Sequence, residues 1–342
     1  MNIIMQGLGW ILKLCDTLTG SYGLAIILFT VFIKLILLPL TVKQQQSMMK
    51  MQKLQPLLNE IQQKYANDKD KQSRETMKIY QKYHVNPMSG CLPLLIQLPI
   101  LFSLYYVVKR PITYLMGFPE DEFWRIINAM TEWGEGNADI LSGFLSANNL
   151  ESLNKLTDSG YKMFKELEIP IARFLETNPA IMENHWITGS GKIYEVINFG
   201  FLGMDLSQTP SLGALTGFLF GSVQALSMDT VLLWSIPLLS GLSSYVSMKI
   251  SQKQQPNPAP QTNANGEEQP NPMKSMNLFM PFISAWFAFS LPAAIGLYWV
   301  ASNLLQMVQQ LILNKVIRVD LTEEQVEGEL VNVKKNRKKR KK

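Results

Sequence analysis

The 342-residue chain has little of what most catalytic and metal sites are built from. It holds two cysteines, Cys15 and Cys91, too far apart for a disulfide framework or a metal cluster. It holds two histidines, His84 and His185, with a long apolar run between them, so they are expected on opposite sides of a membrane and unable to share a ligand. No Asp, Glu or His falls inside any of the long apolar runs. That excludes the paired carboxylates of an aspartyl protease, the His/Glu set of a zinc protease and the base a serine nucleophile needs. No phosphate-binding glycine loop is present, so nucleotide hydrolysis has no support. The expectation is a protein without enzymatic activity, cofactor or metal. Met1–Leu14 also lacks a basic leader and a small-residue cleavage site, so it does not read as a cleaved signal. Leu14 is too bulky to precede a lipidated cysteine at position 15.

What is present is an alternation of apolar and strongly polar stretches, the pattern of a membrane protein. Five runs read as spans: Tyr22–Val42, Met88–Val108 closed by Lys109 and Arg110, Thr230–Ile250, Met276–Ser290, and Ala293–Val316 beyond Pro292. The predicted fold is an all-α polytopic membrane protein. Its parts are an interfacial helix over 1–21 with an apolar face of Ile4, Leu8, Ile11 and Leu12, a first span over 22–42, and a helical hairpin over 43–87. A second span over 88–110, a helical polar region over 111–229, and a third span over 230–250 follow. The remainder is a Pro/Asn/Gln-rich linker over 251–275, spans over 276–291 and 293–316, and a basic tail over 317–342. Leu212–Leu226 is apolar but below spanning length, and reads as interfacial or re-entrant. The basic segments 43–88 and the tail belong on the cytoplasmic side by the positive-inside rule, and the acidic 111–229 region belongs outside with the N-terminus.

The hairpin is read from Leu54, Leu57, Leu58, Ile61 and Tyr65 at helical spacing, a turn at Asn67-Asp68-Lys69-Asp70, and a second face of Met77, Tyr80 and His84. Met48, Met49, Met51 and Met77 are flexible and polarizable; they either receive varied apolar segments or pack the hairpin.

Lys34 is the one charge inside the first span, where a lysine costs about 2.5–3.5 kcal/mol near the bilayer centre. Thr30 lies one turn away on the same face. Ser240, Ser244 and Ser247 form a stripe on the third span, and Trp299, Asn303, Gln306 and Gln310 one on the fifth, with Tyr298, Ser302 and Gln309 beside it. Together with Gln97 they suit a polar cavity around one cation. Gln97 serves equally as an interhelical hydrogen bond, and Tyr298 and Trp299 as interfacial anchors. Two functions fit: a small anion transporter with Lys34 as its site, or a device that receives a polypeptide whose polar part must cross the bilayer. The first expects structural repeats and coupling carboxylates, neither of which is visible, and gives the hairpin and tail no role.

The order of Gly23–Val42 with Lys34, Asn86-Pro87-Met88, Cys91–Leu101, Ile236–Lys249, Gly296-Leu297-Tyr298-Trp299 and Ser302-Asn303 resembles the YidC/Oxa/Alb family of membrane-protein insertases. Lysine stands where that family usually has arginine, and 111–229 is longer than its usual link. The large extracytoplasmic domain that some members carry before the first span is missing, so the expectation is the shorter bacterial form. The resemblance implies a bacterial plasma-membrane insertase and chaperone. Its hydrophilic groove would be built from Lys34, Thr30, Gln97, Ser240, Ser244, Ser247, Tyr298, Trp299, Ser302, Asn303 and Gln306. The hairpin methionines would receive substrate. Lys334, Lys335, Arg337, Lys338, Lys339, Arg340, Lys341 and Lys342 would hold a ribosome. Implied partners are nascent membrane proteins, the ribosome and the lipid bilayer, with the Sec translocon and the signal recognition particle pathway as further candidates.

Overall fold

A computed structural model of the chain describes residues 2–65, 68–86, 92–158, 161–189, 191, 194–210, 228–252, 272–317, 326 and 328. Leu212–Leu226, most of the 251–275 linker and the basic tail beyond residue 328 lie outside the described residues, as do Pro87–Cys91 at the start of the second run. In chain order the helices are α1 (Asn2–Thr19), α2 (Tyr22–Ile36), α3 (Leu38–Lys64), α4 (Lys69–Lys82), α5 (Leu92–Lys109), α6 (Pro111–Tyr114), α7 (Trp124–Glu135) and α8 (Ala138–Ala147). They continue as α9 (Asn154–Asp158), α10 (Tyr161–Glu166), α11 (Glu168–Thr177) and α12 (His185–Thr188). Two short strands follow, β1 (Gly200–Phe201) and β2 (Met204–Asp205), then α13 (Met228–Gln252), α14 (Pro272–Ser290) and α15 (Ala293–Val316).

The fold is helical, as expected, apart from the ribbon β1–β2. Its turn, Leu202-Gly203, has positive φ at both residues, the geometry that matches the twist of a two-residue hairpin. Strands of two residues leave no alternating pattern to read, which is why the sequence does not announce them.

The chain divides into two compact units. The first comprises Met1–Thr30, Pro99–Pro237 and Phe287–Trp299. Helix α1 is stopped by Gly20 in the left-handed region, whose N–H returns to the Asp16 carbonyl. It packs with Met5, Leu8, Leu12 and Cys15 inward and leaves Ile4, Trp10, Leu14 and Leu18 exposed. The apolar face expected on the bilayer surface is therefore split: Leu8 and Leu12 turn into protein, and Trp10, Leu14 and Leu18 take the outer side. Gly9 allows close approach, since a Cβ there would sit 3.1 Å from Tyr114 Cβ. Glu168 is fully buried and is satisfied by the N–H and hydroxyl of Thr113 at 2.9 and 2.8 Å. The first-turn N–H groups of α15 find partners in the loop after β2: Ala293 donates to the Gln208 carbonyl and Ala294 to that of Leu206.

The second unit comprises Val31–Leu98, Leu238–Trp286 and Val300–Lys342. Its hairpin α3–α4 closes over Leu54, Leu57, Leu58, Ile61, Ile79 and Val85, joined by Val326. Asp68 caps α4 by accepting from the Lys71 N–H at 3.0 Å, inside the expected turn. The second face holds in part: Tyr80 packs on this core as expected, beside Ile79 and Val85, while Met77 and His84 are exposed.

The first apolar run is not one straight helix over 22–42. It ends at Ile36, and α3 starts at Leu38 after a bend of 60°. Pro39 sits in the first turn of α3, where its missing N–H costs nothing and its ring blocks continuation of the preceding helix. Among the described residues one helix, Asp229–Ser251, is by itself long and apolar enough to cross a membrane, and the bent pair α2–α3 passes the same test together.

Candidate functional site: a polar seam in the second unit

The second unit gathers polar side chains from α2, α13, α14 and α15. Lys34, near the end of α2, donates to Gln306 Oε1 on α15 at 2.9 Å. Its neighbours on α2, Val31–Ile33 and Leu35–Ile36, are apolar, so among the described residues the ammonium has one hydrogen-bond partner, and its remaining protons call for water or a ligand.

Asn303, three residues before Gln306, donates through Nδ2 to Ser244 Oγ at 2.8 Å and Ser243 Oγ at 3.1 Å. Ser244 donates to Ser284 on α14 at 2.8 Å, and Ser284 lies 3.1 Å from Ser240. Ser284 accepts the Ser244 proton, and in the Ser284–Ser240 pair either hydroxyl can be the donor, so Asn303, Ser244, Ser284 and Ser240 form one connected network. Ser240 is fully buried and Ser284 nearly so. This explains why three helices approach here: small polar residues let backbones come close and hydrogen-bond across the gap. Gly241 adds to it, since a Cβ there would stand 3.2 Å from Ala285 Cβ.

Two further pairs extend the stripe of α15 by two turns. Gln310 exchanges hydrogen bonds with Ser251 at 3.1 and 3.2 Å, and Asn314 accepts from Gln45 at 2.6 Å. Gln309 Oε1 is buried without a partner among the described residues.

The expected site residues thus separate. Lys34 and Gln306 meet; Ser240, Ser244 and Asn303 meet in an adjoining network. Ser247 is half-buried and Ser302 buried on the same helices, and Gln97 is half-buried on α5. Thr30 belongs to the first unit, and its buried hydroxyl is turned back on the Ile26 carbonyl at 2.6 Å. Tyr298 and Trp299 also belong to the first unit: Tyr298 is core, and Trp299 lies against Phe287 with ring centres 5.9 Å apart. Met48 and Met49 are half-buried, Met51 packs on the hairpin core, and Met77 is exposed. The residues from Lys334 to Lys342 lie outside the described residues.

Ser284, Ser243, Gln45, Ser251 and Asn314 were not singled out by sequence. For Asn314 the signal was there, four residues beyond Gln310 on the same polar face. Ser284 had none, because one serine in an apolar run satisfies itself on its own helix backbone.

Polar seams inside and exposed apolar side chains outside, among them Leu238, Leu242, Phe282, Leu304 and Leu311, are the arrangement of an all-α integral membrane protein. The profile of the 60Kd inner membrane protein family matches residues 14–176 and 192–320, and the chain belongs to that family. A membrane protein insertase YidC of Fusobacterium nucleatum is 50% identical over 111 residues, 32% of this chain and 54% of that protein. A membrane protein insertase YidC of Clostridium perfringens is 56% identical over 88 residues, 26% of this chain and 37% of its own. One from an Anaeromyxobacter species is 46% identical over 103 residues, 30% of this chain and 19% of its own. The matched stretch spans about half the length of the first of these relatives and less of the others.

Proposed function

We propose that the chain is a membrane protein insertase and chaperone. It receives nascent membrane proteins in a hydrophilic groove of the second unit and releases them into the bilayer. The observation that carries the proposal is Lys34: an ammonium in an apolar helix, held by Gln306 at 2.9 Å, beside a run of hydrogen-bonded serines and Asn303. A charge in such a place costs too much unless it faces protein or water, and such charges mark paths for polar cargo. The names of the relatives point to the same activity.

The mechanism follows from two physical terms. A polar segment entering hydrocarbon loses several kcal/mol for each unpaired backbone group. Helix α2 spans 15 residues, about 22 Å at 1.5 Å per residue, against about 30 Å of hydrocarbon. A short helix that turns aside at Leu37, next to a wet seam, reduces the apolar distance that the segment crosses. Lys34 draws acidic or polar extracytoplasmic segments by charge, and Gln306 and Gln309 offer side-chain amides to them. Apolar segments then leave into lipid by the hydrophobic effect, with no nucleotide required.

In this reading five spans cross the bacterial inner membrane, with the N-terminus and the 111–229 region outside and the hairpin and tail inside. The hairpin's half-buried Met48 and Met49 and exposed Met77 give adaptable apolar contacts on the receiving side. The run of eight positive charges among nine residues from Lys334 to Lys342 suits ribosomal RNA. The Sec translocon and the signal recognition particle pathway are further proposed partners.

Site-specific photocrosslinking from position 34 during translation of a short membrane protein tests the reading. Crosslinks to the nascent chain that disappear on its release support it. Crosslinks to lipid alone contradict it.

A further inference from the structure

A cavity of about 590 Å³ opens in the first unit, within the ~300–1,000 Å³ usual for small-molecule sites. Its walls come from α1, the end of α5, α6, the loop after it, and α10; its polar lining includes Arg110, Tyr114, Glu120 and Lys165. The ion pairs among the described residues involve none of Arg110, Glu120 and Lys165. Arg110 instead stacks over the Tyr106 ring at 5.7 Å and donates a hydrogen bond to the Tyr114 hydroxyl. Two cations against one carboxylate give the cavity a net charge of +1. A third cation stands beside it: Lys13 Nζ donates to the Met116 carbonyl at 3.2 Å, next to the cavity-lining Gly117. The Tyr114 hydroxyl is pushed above its ordinary value by burial, with Arg110 pulling the other way, so it stays a donor at neutral pH.

The cavity's surroundings are those of a lipid boundary. Phe102 and Tyr106 are exposed one turn apart on α5, and Arg110 follows one turn later on the same face. On α1, Trp10, Leu14 and Leu18 are exposed at four-residue spacing. An apolar helix face that ends in tyrosines and cations is the signature of the level where headgroups lie. A soluble anion would need no apolar approach, and an apolar ligand would need no Arg and Lys without carboxylate partners.

We infer that this cavity binds the headgroup of an anionic phospholipid of the phosphatidylglycerol class, with its phosphodiester on Arg110 and Lys165 and its acyl chains along Phe102 and Tyr106. Glu120 accepts from headgroup hydroxyls, and its charge offsets one of the cations that hold the phosphodiester. The inference stands on the first unit alone and is independent of the insertase reading.

The test is native mass spectrometry of the full chain in detergent, with phosphatidylglycerol, phosphatidylethanolamine and inorganic phosphate added in turn. Phosphatidylglycerol should be retained in preference to phosphatidylethanolamine, and inorganic phosphate should neither bind nor displace it. Arg110→Gln with Lys165→Gln should weaken retention about tenfold or more, the loss expected for two charge-assisted hydrogen bonds. Lys162→Gln, an exposed lysine on the same helix outside the cavity, should change nothing. Glu120→Gln should tighten retention, a gain that misfolding cannot imitate. Equal retention of the two lipids, displacement by phosphate, or undiminished binding by the Arg110/Lys165 double variant would each overturn the assignment.

Discussion

Replacing Ser284 with alanine should destabilise the second unit more than replacing Asn303 with alanine, although asparagine is the larger side chain. Asn303→Ala removes two interhelical bonds, to Ser244 at 2.8 Å and Ser243 at 3.1 Å. Both serines keep their own donor bonds, Ser243 to the Ser240 carbonyl and Ser244 to Ser284. The cost is then two bonds at about 0.6 kcal/mol each, about 1.2 kcal/mol. Ser284→Ala also removes two bonds, to Ser244 and Ser240. In addition it strands the Ser244 proton and leaves Ser240, fully buried, without its side-chain partner. A stranded buried group adds about 1–3 kcal/mol, giving about 2–4 kcal/mol in total. Ser244 can turn back to its i−4 carbonyl, which sets the lower end. Reversible unfolding by sodium dodecyl sulfate in mixed micelles measures the difference. The double substitution should cost less than the sum by about 0.5 kcal/mol or more, since both act on Ser244. Equal costs for the two single variants, or strict additivity, would refute the coupled network centred on Ser284.

Three further outcomes follow from packing and charge. Gly296→Ala should lower thermal stability by about 1–3 kcal/mol, because its Cβ would run into the Ile236 side chain, and Ile236→Ala on the same background should recover part of the loss. Asp16, half-buried on α1, has its pKa raised above 3.8 by burial and then by Glu195. Between the ordinary and the raised pKa the folded state holds the proton more tightly, so stability falls as pH rises through that window. Asp16→Asn should remove this fall and raise the melting temperature at neutral pH; a lower melting temperature there would contradict the sign. Ile79→Ala should open the hairpin by about 2–5 kcal/mol, read as faster hydrogen exchange over Leu54–Ile61 with α13 unchanged.

Helices and their polar faces were legible because the bilayer makes a simple reader: long apolar runs stand out, and each polar group inside one is costly enough to need a reason. Helix α15 has the bounds of the fifth apolar run, Ala293–Val316, and Lys34, Gln306, Asn303, Ser240 and Ser244 stand out in the sequence as polar residues inside apolar runs. Partners were less legible than positions. Thr30 shares a helical face with Lys34, but a threonine in a helix satisfies itself on the i−4 carbonyl, and this one does. Ser284 is central because of where α14 packs, which no single-helix periodicity encodes. The bend at Leu37 was visible only as a proline near the end of a run; that it divides one span into two helices depends on what α3 gains by packing with α4. Within the helical region over 111–229, α10 ends at Glu166 and α11 begins at Glu168, a break that no residue pattern announces, since local propensity fixes helix identity better than helix ends.

The central claim is that the Lys34 charge acts on the polar segments of arriving substrates. It is tested most directly by in vitro insertion of one substrate made in two versions, with an acidic and with a neutral extracytoplasmic segment, into membranes carrying wild type, Lys34→Arg or Lys34→Ala. Lys34→Arg keeps the charge and a donor for Gln306, and should insert both versions. Lys34→Ala should insert the neutral version nearly as well as wild type and fail on the acidic one. If Lys34→Ala inserts both versions as well as wild type, the charge has no part in the mechanism.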